Sequence, residues 1–216
     1  MTTNLTKSRF LLALVVILAF MVESASAGDT IYQRLILKED ISIEVPSHWF
    51  VHSDAENKNF EAASKASLQT AGIDYDTTEN KSRLLAVSAL PTPSSAKIRV
   101  NVIRPLDFSE ADLQSATDQD LKELKTDFSS EMAKSVIAIG GKLLSVTTPR
   151  IESFNNTTAI LFEYRRSDLR VPSPWTVRIY RIPARDRLIE LTISFRESDA
   201  VIFKPILEHT KRSLRF

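Results

Sequence analysis

Polar and apolar residues alternate through the last third of the chain, and this pattern restricts the possible folds more than any other feature. From Ile189 onward every second residue is apolar, with Glu190, Thr192 and Ser194 between them. A period of two is typical of a β-strand that buries one face. Segments 157–166 and 175–182 are also β-prone, and the tight turn PARD joins the second of these to the third strand. We therefore expect an antiparallel meander over 157–196.

The rest of the chain supplies further strands and helices. Short β-prone runs predict strands at 33–38, 41–45, 83–90, 96–104 and about 142–153. Apolar residues at steps of three and four predict a helix from Ser53 to Gly72, helical structure from Ser109 to Ile139, and a closing helix to about Leu214.

Boundary residues refine these helices. Ser53 with Glu56, and Thr117 with Asp120, have the spacing of capping boxes. The second box predicts a short helix followed by a long one, which Gly140–Gly141 ends, and Pro205 suits the first turn of the closing helix. Helices segregated from consecutive strands indicate an α+β fold, an antiparallel sheet of about six to seven strands flanked by helices.

The N-terminus has the pattern of a secretory signal peptide. Lys7 and Arg9 precede an apolar run from Phe10 to Val22, and the small residues Ala25 and Ala27 follow. A membrane anchor is the alternative, but this run is shorter than the ~20 residues that span a bilayer. We predict that residues 1–27 are removed near Ala27. Residues 28–216 should then form a single domain in the bacterial periplasm or outside the cell, without stable membrane insertion.

Composition excludes several classes of function. The chain has no cysteine, so it has no thiol nucleophile, disulfide or thiolate metal site. With only 4 glycines and a formal net charge of +1, it lacks both a glycine-rich phosphate loop and the basic footprint of a nucleic-acid binder. We predict no cofactor and no nucleic-acid partner.

Several segments share a pattern with one known fold. These are the opening strand and Pro-x-x-Trp step of ISIEVPSHW, the meander TTAILFEYRR, WTVRIYRI and RLIELTISF, and the closing FKPILEHTKRSLRF. Together they resemble the PsbP/Mog-type fold, and within it the DcrB-like and PsbP-like exported bacterial proteins. The resemblance implies an αβα sandwich. Its members include photosystem accessory subunits, a nuclear GTPase-binding protein and periplasmic proteins, and few are enzymes, so it implies no catalytic residues.

The histidines and one acidic loop are candidate metal-binding or catalytic groups. On a strand, His48 and His52 would lie ~13 Å apart, too far to share one zinc ion. We therefore expect structural roles there, with Trp49 packed in the core or at its rim. His209 near the end of the closing helix suits the helix dipole better than catalysis. The acidic loop at 74–79 lacks the glycine and the final acid of a calcium-binding loop.

The meander offers the candidate binding surface. Alternation predicts that Glu163, Arg178 and Glu190 lie side by side on one face, either as a salt-bridge ladder or as a polar surface that holds a ligand or partner. The segment 167–174 is predicted to be a proline-bearing connection. The prolines and Trp175 in the segment 169–175 could form a docking surface or cap the end of the sheet. The predicted partner- or ligand-binding residues are Glu163, Arg165, Arg178, Tyr180, Glu190 and Trp175, and no catalytic or metal-binding residue is predicted.

Two functions follow from these features. The first is a non-enzymatic accessory protein that binds a protein of the cell envelope through its sheet or the arginine-rich meander. The second is a protein that binds a small molecule or anion, or an enzyme, with a pocket between the long helix and the sheet. The sequence contains no recognisable pair of a catalytic nucleophile and its general base, which favours binding over catalysis.

Overall fold

The structure is a computed structural model that describes residues 30–70, 81–168 and 171–216. The predicted signal peptide and the acidic loop at 74–79 lie outside these residues. Among the helices that the described ranges contain, none is long and apolar enough to cross a membrane.

Ten strands and four α-helices make up the described chain. The strands are β1 (Tyr32–Ile36), β2 (Ser42–Pro46), β3 (Phe50–Val51), β4 (Lys81–Ser88), β5 (Ala96–Ile103), β6 (Leu143–Val146), β7 (Arg150–Phe154), β8 (Thr157–Asp168), β9 (Val171–Ala184) and β10 (Arg187–Arg196). The helices are α1 (Asp54–Thr70), α2 (Glu110–Ser115), α3 (Asp118–Ala138) and α4 (Ala200–Ser213).

One large antiparallel sheet organises these elements. It has 8 strands in the order β3-β4-β5-β10-β9-β8-β6, and β7 also pairs with the outer edge of β8. Strands β1 and β2 form a separate two-stranded hairpin. The predicted α+β class and the antiparallel meander are therefore confirmed, and the sheet has slightly more strands than the six to seven expected.

Two layers cover the sheet, one on each face. On the α4 face, Leu207 of α4 packs against the apolar side chains of β5 and β10, such as Val100 and Leu191. Trp49 joins this core by edge contact with Phe203 of α4, with ring centroids 5.7 Å apart, as predicted. On the α3 face, Phe128 of α3 packs on Phe162 of β8 at a centroid distance of 4.7 Å.

Capping residues set the helix boundaries as predicted. The Ser53 backbone N–H donates to Glu56 at 2.8 Å, and the Thr117 backbone N–H donates to Asp120 at 2.8 Å. A third capping box, Ser109 with Asp112, begins α2 and was not predicted.

Three predicted boundaries were wrong. The strand expected at 142–153 is two strands, β6 and β7, separated near Pro149. The connection expected at 167–174 is mostly strand, because β8 runs to Asp168 and β9 begins at Val171. Helix α4 begins at Ala200, directly after a 3₁₀ turn at Glu197–Asp199, so Pro205 lies inside the helix and not in its first turn.

Candidate functional site

The predicted pair of Glu163 and Arg178 does form. These residues lie opposite each other on β8 and β9, and Arg178 Nε donates to Glu163 Oε2 at 2.6 Å. Arg178 Nη1 also donates to Glu208 of α4 at 3.2 Å. The pair therefore lies on the α4 face, where its charges are matched within the molecule.

Glu190 does not join this pair, and its predicted position was wrong. Across β10 and β9 the register sets Glu190 opposite Arg181, and it sets Ile193 opposite Arg178. Side chains one residue apart on a strand point to opposite faces, so the offset places Glu190 on the α3 face. The sequence established the alternation within each strand but not the register between strands.

The other predicted site residues are separated as well. Tyr180 is 1% exposed in the α4-face core, and burial raises the pKa of its phenol. Trp175 is buried on β9, so the sheet-end alternative describes it better than a docking surface. Arg165 is exposed on β8 and pairs with Glu197 through Nη2 and Oε2 at 2.7 Å.

The histidines have structural partners. His52 Nε2 lies 2.8 Å from Ser88 Oγ, and burial lowers the pKa of its imidazole. His209 Nε2 lies 2.7 Å from Glu44 Oε2, and its ring stacks on Tyr32 with centroids 3.8 Å apart. This contact joins α4 to the β1–β2 hairpin.

A cavity of about 470 Å³ lies on the α3 face, between the sheet and helices α1 and α3. Its floor is formed by β4, β5, β10, β9 and β8, and its wall includes Val136 of α3 and Ile139, which directly follows that helix. This is the position predicted for a pocket between the long helix and the sheet. Its cationic lining residues are Lys65, Lys81, Arg83, Lys97, Arg99 and Arg166.

Sheet register arranges the floor in three cross-strand rows, each running from β4 to β8. The Glu190 row is Arg83, Asn101, Glu190, Arg181 and Ile160. The Arg99 row is Ala86, Arg99, Thr192, Ile179 and Phe162. The Lys97 row is Ser88, Lys97, Ser194, Val177 and Tyr164.

The carboxylate of the Glu190 row is paired within the molecule. Lys81 donates to Glu190 Oε1 at 2.6 Å, Asn101 Nδ2 donates to the same oxygen at 3.0 Å, and Arg181 Nε donates to Oε2 at 3.4 Å. Burial alone would raise the pKa of Glu190, but the charges of Lys81 and Arg181 outweigh it, and its pKa is lowered. Glu190 is therefore an anion at neutral pH, and its charge is already shared by two cations.

The Arg99 row contains a guanidinium and no carboxylate among its five members. Arg99 lies deep in the molecule but keeps part of its surface accessible, as expected for a side chain that faces a cavity. Within the described chain its guanidinium forms neither an ion pair nor a side-chain hydrogen bond. Burial, together with the charge of Arg83, lowers the pKa of Arg99, yet an arginine stays protonated at neutral pH.

The end of α3 positions the helical wall of this cavity. Gly140 adopts a positive φ of 76°, and the Gly141 N–H donates to the Val136 carbonyl at 2.9 Å. A Cβ at Gly141 would lie 2.9 Å from the Ser167 carbonyl oxygen and 3.0 Å from Val136 Cγ1, so only glycine allows this close approach to β8. The helix ends there as predicted, with Val136 and Ile139 over the sheet.

Sequence reasoning missed the cavity residues of β5. Lys97, Arg99 and Asn101 alternate with Ile98, Val100 and Val102 in the sequence, and this pattern by itself predicts a strand with one polar and one apolar face. The signal that could have identified it is the strand's central position. A central strand in a sheet covered on both sides should not carry a guanidinium such as that of Arg99 on a buried face unless something neutralises it.

Comparisons with known proteins identify the fold. Neither the protein-family models nor the curated proteins include a match to this chain. Among solved structures, the chain is similar to cyanobacterial PsbP (CyanoP) from Synechocystis sp. PCC 6803, with a TM-score of 0.50 and 14% identity over 90% of this chain and 98% of that chain. This likeness shows a PsbP/Mog-type fold, as the sequence pattern indicated, and at such low identity it shows the fold alone.

Two further structures are similar to a smaller degree. The Ran-binding protein Mog1p of Saccharomyces cerevisiae matches with a TM-score of 0.44 and 9% identity over 86% of this chain and 95% of that chain. LpqN of Mycobacterium tuberculosis, which is involved in cell envelope biogenesis, matches with a TM-score of 0.43 and 10% identity over 85% of this chain and 89% of that chain.

Proposed function

We propose that this protein binds an anionic small molecule in the cavity between the sheet and helices α1 and α3. The observation that carries the proposal is Arg99, a guanidinium deep in the fold that has no counter-ion within the described chain. A buried charge is costly unless it is paired, and a bound anion would supply the missing partner. The planar fork of arginine suits carboxylate, sulfonate or phosphate groups.

The surrounding charges support the same ligand. Among the described residues that line the cavity, several are cations and one, Glu190, is a carboxylate. That carboxylate already forms ion pairs with Lys81 and Arg181. A cavity of this kind is attractive to anions because charges act more strongly where water is partly excluded. The volume of about 470 Å³ falls within the ordinary range of small-molecule sites.

A partner-binding role through the meander has weaker support. Arg178 is held by Glu163 and Glu208, and Tyr180 and Trp175 are buried, so they offer little to a docking protein. Of these predicted binding residues, Arg165 has an exposed side chain, and it already forms an ion pair with Glu197. Binding to an envelope protein stays a prediction, as does export of the chain to the bacterial periplasm, where we place the proposed anion binding.

The proposal can be tested with a single arginine substitution and a matched control. Titration calorimetry would measure binding of citrate, inorganic phosphate, benzoate and decanoate to the full chain, to Arg99→Met and to Arg165→Met. We expect at least one of these anions to bind the wild type, with affinity that falls as NaCl concentration rises. Arg99→Met should lose this binding by about tenfold or more, whereas Arg165→Met should keep it.

A second variant makes the test independent of whether Arg99→Met folds. Thr192 lies opposite Arg99 on the neighbouring strand, so Thr192→Glu would supply a carboxylate beside the guanidinium and compete with the ligand. Far-UV circular dichroism would confirm that each variant is folded. The proposal is wrong if no anion binds the wild type, or if folded Arg99→Met and Thr192→Glu bind as tightly as wild type.

A further inference from the structure

We infer that the ligand is an amphipathic anion, whose charged head group pairs with Arg99 and whose apolar body lies across β10 toward β9 and β8. The inference rests on the proposed function and specifies the chemical class of its ligand. It depends on how the lining residues are distributed over the strands of the cavity floor.

Polarity changes in one direction along two of the three rows. The Arg99 row begins with a cation on β5, continues with the hydroxyl of Thr192 on β10, and reaches the apolar Ile179 on β9. The Lys97 row repeats the order, with Lys97 on β5, Ser194 on β10 and Val177 on β9. One end of the cavity floor is therefore cationic and the other is apolar, and the hydroxyl groups lie between them.

The apolar end is extended by side chains from β8 and α3. Tyr164 of β8 lies beside Val177, and burial raises the pKa of its phenol, so the ring stays uncharged at neutral pH. Val136 of α3 and Ile139, which directly follows that helix, also line the cavity. The close approach of Gly141 to Val136 and to the Ser167 carbonyl places this end of the helix beside β8. Arg166 also lines the cavity, but its guanidinium lies over the Trp175 ring at 5.4 Å from the centroid and donates to the Ser167 carbonyl.

Strand spacing sets the length of the apolar body. Neighbouring strands lie about 4.8 Å apart, so the step from Arg99 on β5 to Ile179 on β9 covers roughly 10 Å. A ligand with one anionic head and an apolar chain or ring system of this length would meet matching groups along its whole length. A small polyanion would instead place charges against Ile179 and Val177, where they would lose hydration without gaining partners.

The preference can be measured with probes that differ in one part at a time. Decanoate has both head group and apolar body, acetate has only the head group, 1-decanol has only the body, and citrate is a compact polyanion. We expect decanoate to bind the full chain at least about tenfold more tightly than acetate, 1-decanol or citrate. The anionic dye anilinonaphthalene sulfonate should bind in competition with decanoate and report it by fluorescence.

Two isoleucines provide the matched variants, Ile137 in the last turn of α3 and Ile139 directly after the helix. Ile139 lines the cavity and is 56% exposed, whereas Ile137 lies two residues earlier, is 66% exposed and is not part of the described lining. Both are exposed enough that substitution should leave the fold intact. Ile139→Asn should weaken decanoate binding about fivefold and leave citrate or phosphate binding unchanged, while Ile137→Asn should change neither.

The outcomes separate this inference from the proposed function. If citrate or phosphate binds in an Arg99-dependent way and decanoate binds no better, the cavity is an anion site and the amphipathic class is wrong. Equal loss of decanoate binding in Ile137→Asn and Ile139→Asn would also overturn it, because the loss would not depend on the cavity wall. If none of the anions binds, both conclusions fall together.

Discussion

The two faces of strand β5 differ sharply, although their residues alternate in one short segment. Ile98 and Val100 point to the α4 face, and each is 0% exposed in the core. Lys97 and Arg99 alternate with them and point to the α3 face, where they line a cavity. Helices cover both faces of this sheet. Among the described residues, the side chains of β5 on the α4 face belong to the buried apolar core, whereas those on the α3 face line a cavity.

This difference separates the part of the molecule that stabilises the fold from the part that is available for binding. Packing on the α4 face is continuous from β4 to β8 and includes Leu207 of α4. On the α3 face, the apolar cluster formed by the described side chains lies on the β8 side, where Phe128 meets Ile160 and Phe162. Among the described residues, the region over β5 and β10 contains charged groups and a cavity, an arrangement that the proposed ligand would explain.

The largest expected effect is on the packed face. Leu191 of β10 is 0% exposed and lies opposite Val100, so Leu191→Ala would leave a cavity in the core. We expect the free energy of unfolding to fall by about 2–5 kcal/mol, measured by urea denaturation. The neighbouring Thr192→Ala, on the α3 face, is the control and should cost less than about 1 kcal/mol. Equal losses for the two variants would contradict the division between the faces.

The second effect concerns the charges of the α3 face. Glu190 is buried, and its partners Lys81 and Arg181 keep 34% and 29% of their side-chain surface exposed. Glu190→Gln removes the carboxylate but leaves both cations partly hydrated. We therefore expect a loss of about 2 kcal/mol at neutral pH, less than that of a fully buried pair.

The loss should depend on pH in a defined direction. Because the folded state lowers the pKa of Glu190 below its ordinary value of 4.5, the stability that this carboxylate contributes is fully present above pH 4.5. It disappears as the pH falls through the lower pKa of the folded state. The difference in unfolding free energy between wild type and Glu190→Gln should therefore be constant from pH 6 to 8 and shrink below pH 4.5. A difference that grows in acid would mean that Glu190 is protonated in the folded protein.

The sequence predicted what depends on local pattern. The Ser53 and Thr117 caps, the stop at Gly140–Gly141 and the alternation of β10 each depend on residues within a few positions of one another, so one segment contains the whole signal. Packing of Trp49 in the core or at its rim was also predicted, and the structure places it in the core.

The candidate site could not be predicted in the same way, because it depends on register and on helix placement. Glu190 was expected beside Arg178, and an offset between β9 and β10 instead placed it opposite Arg181, on the other face. Arg99 was visible as a polar residue of an alternating strand, but its isolation depends on which strands lie beside β5 and on how far α3 extends over them. Those contacts join residues up to about a hundred positions apart, and no local pattern encodes them.

The smallest expected effect gives the sharpest contrast with Leu191. Arg99→Met replaces a deep guanidinium that lacks a counter-ion with an apolar side chain of similar length. Replacing a buried charge by a well-packed apolar group is often neutral or stabilising, so we expect the unfolding free energy without ligand to stay unchanged or rise by at most about 1 kcal/mol.

Urea denaturation in dilute buffer measures this free energy, and added decanoate should stabilise the wild type but not the variant. A residue needed for folding would show the opposite, a large loss without ligand and the same stabilisation by decanoate in both proteins. Unchanged stability together with lost binding would assign Arg99 to ligand recognition. The α4 face of β5 would then stabilise the fold, and its α3 face would bind the ligand.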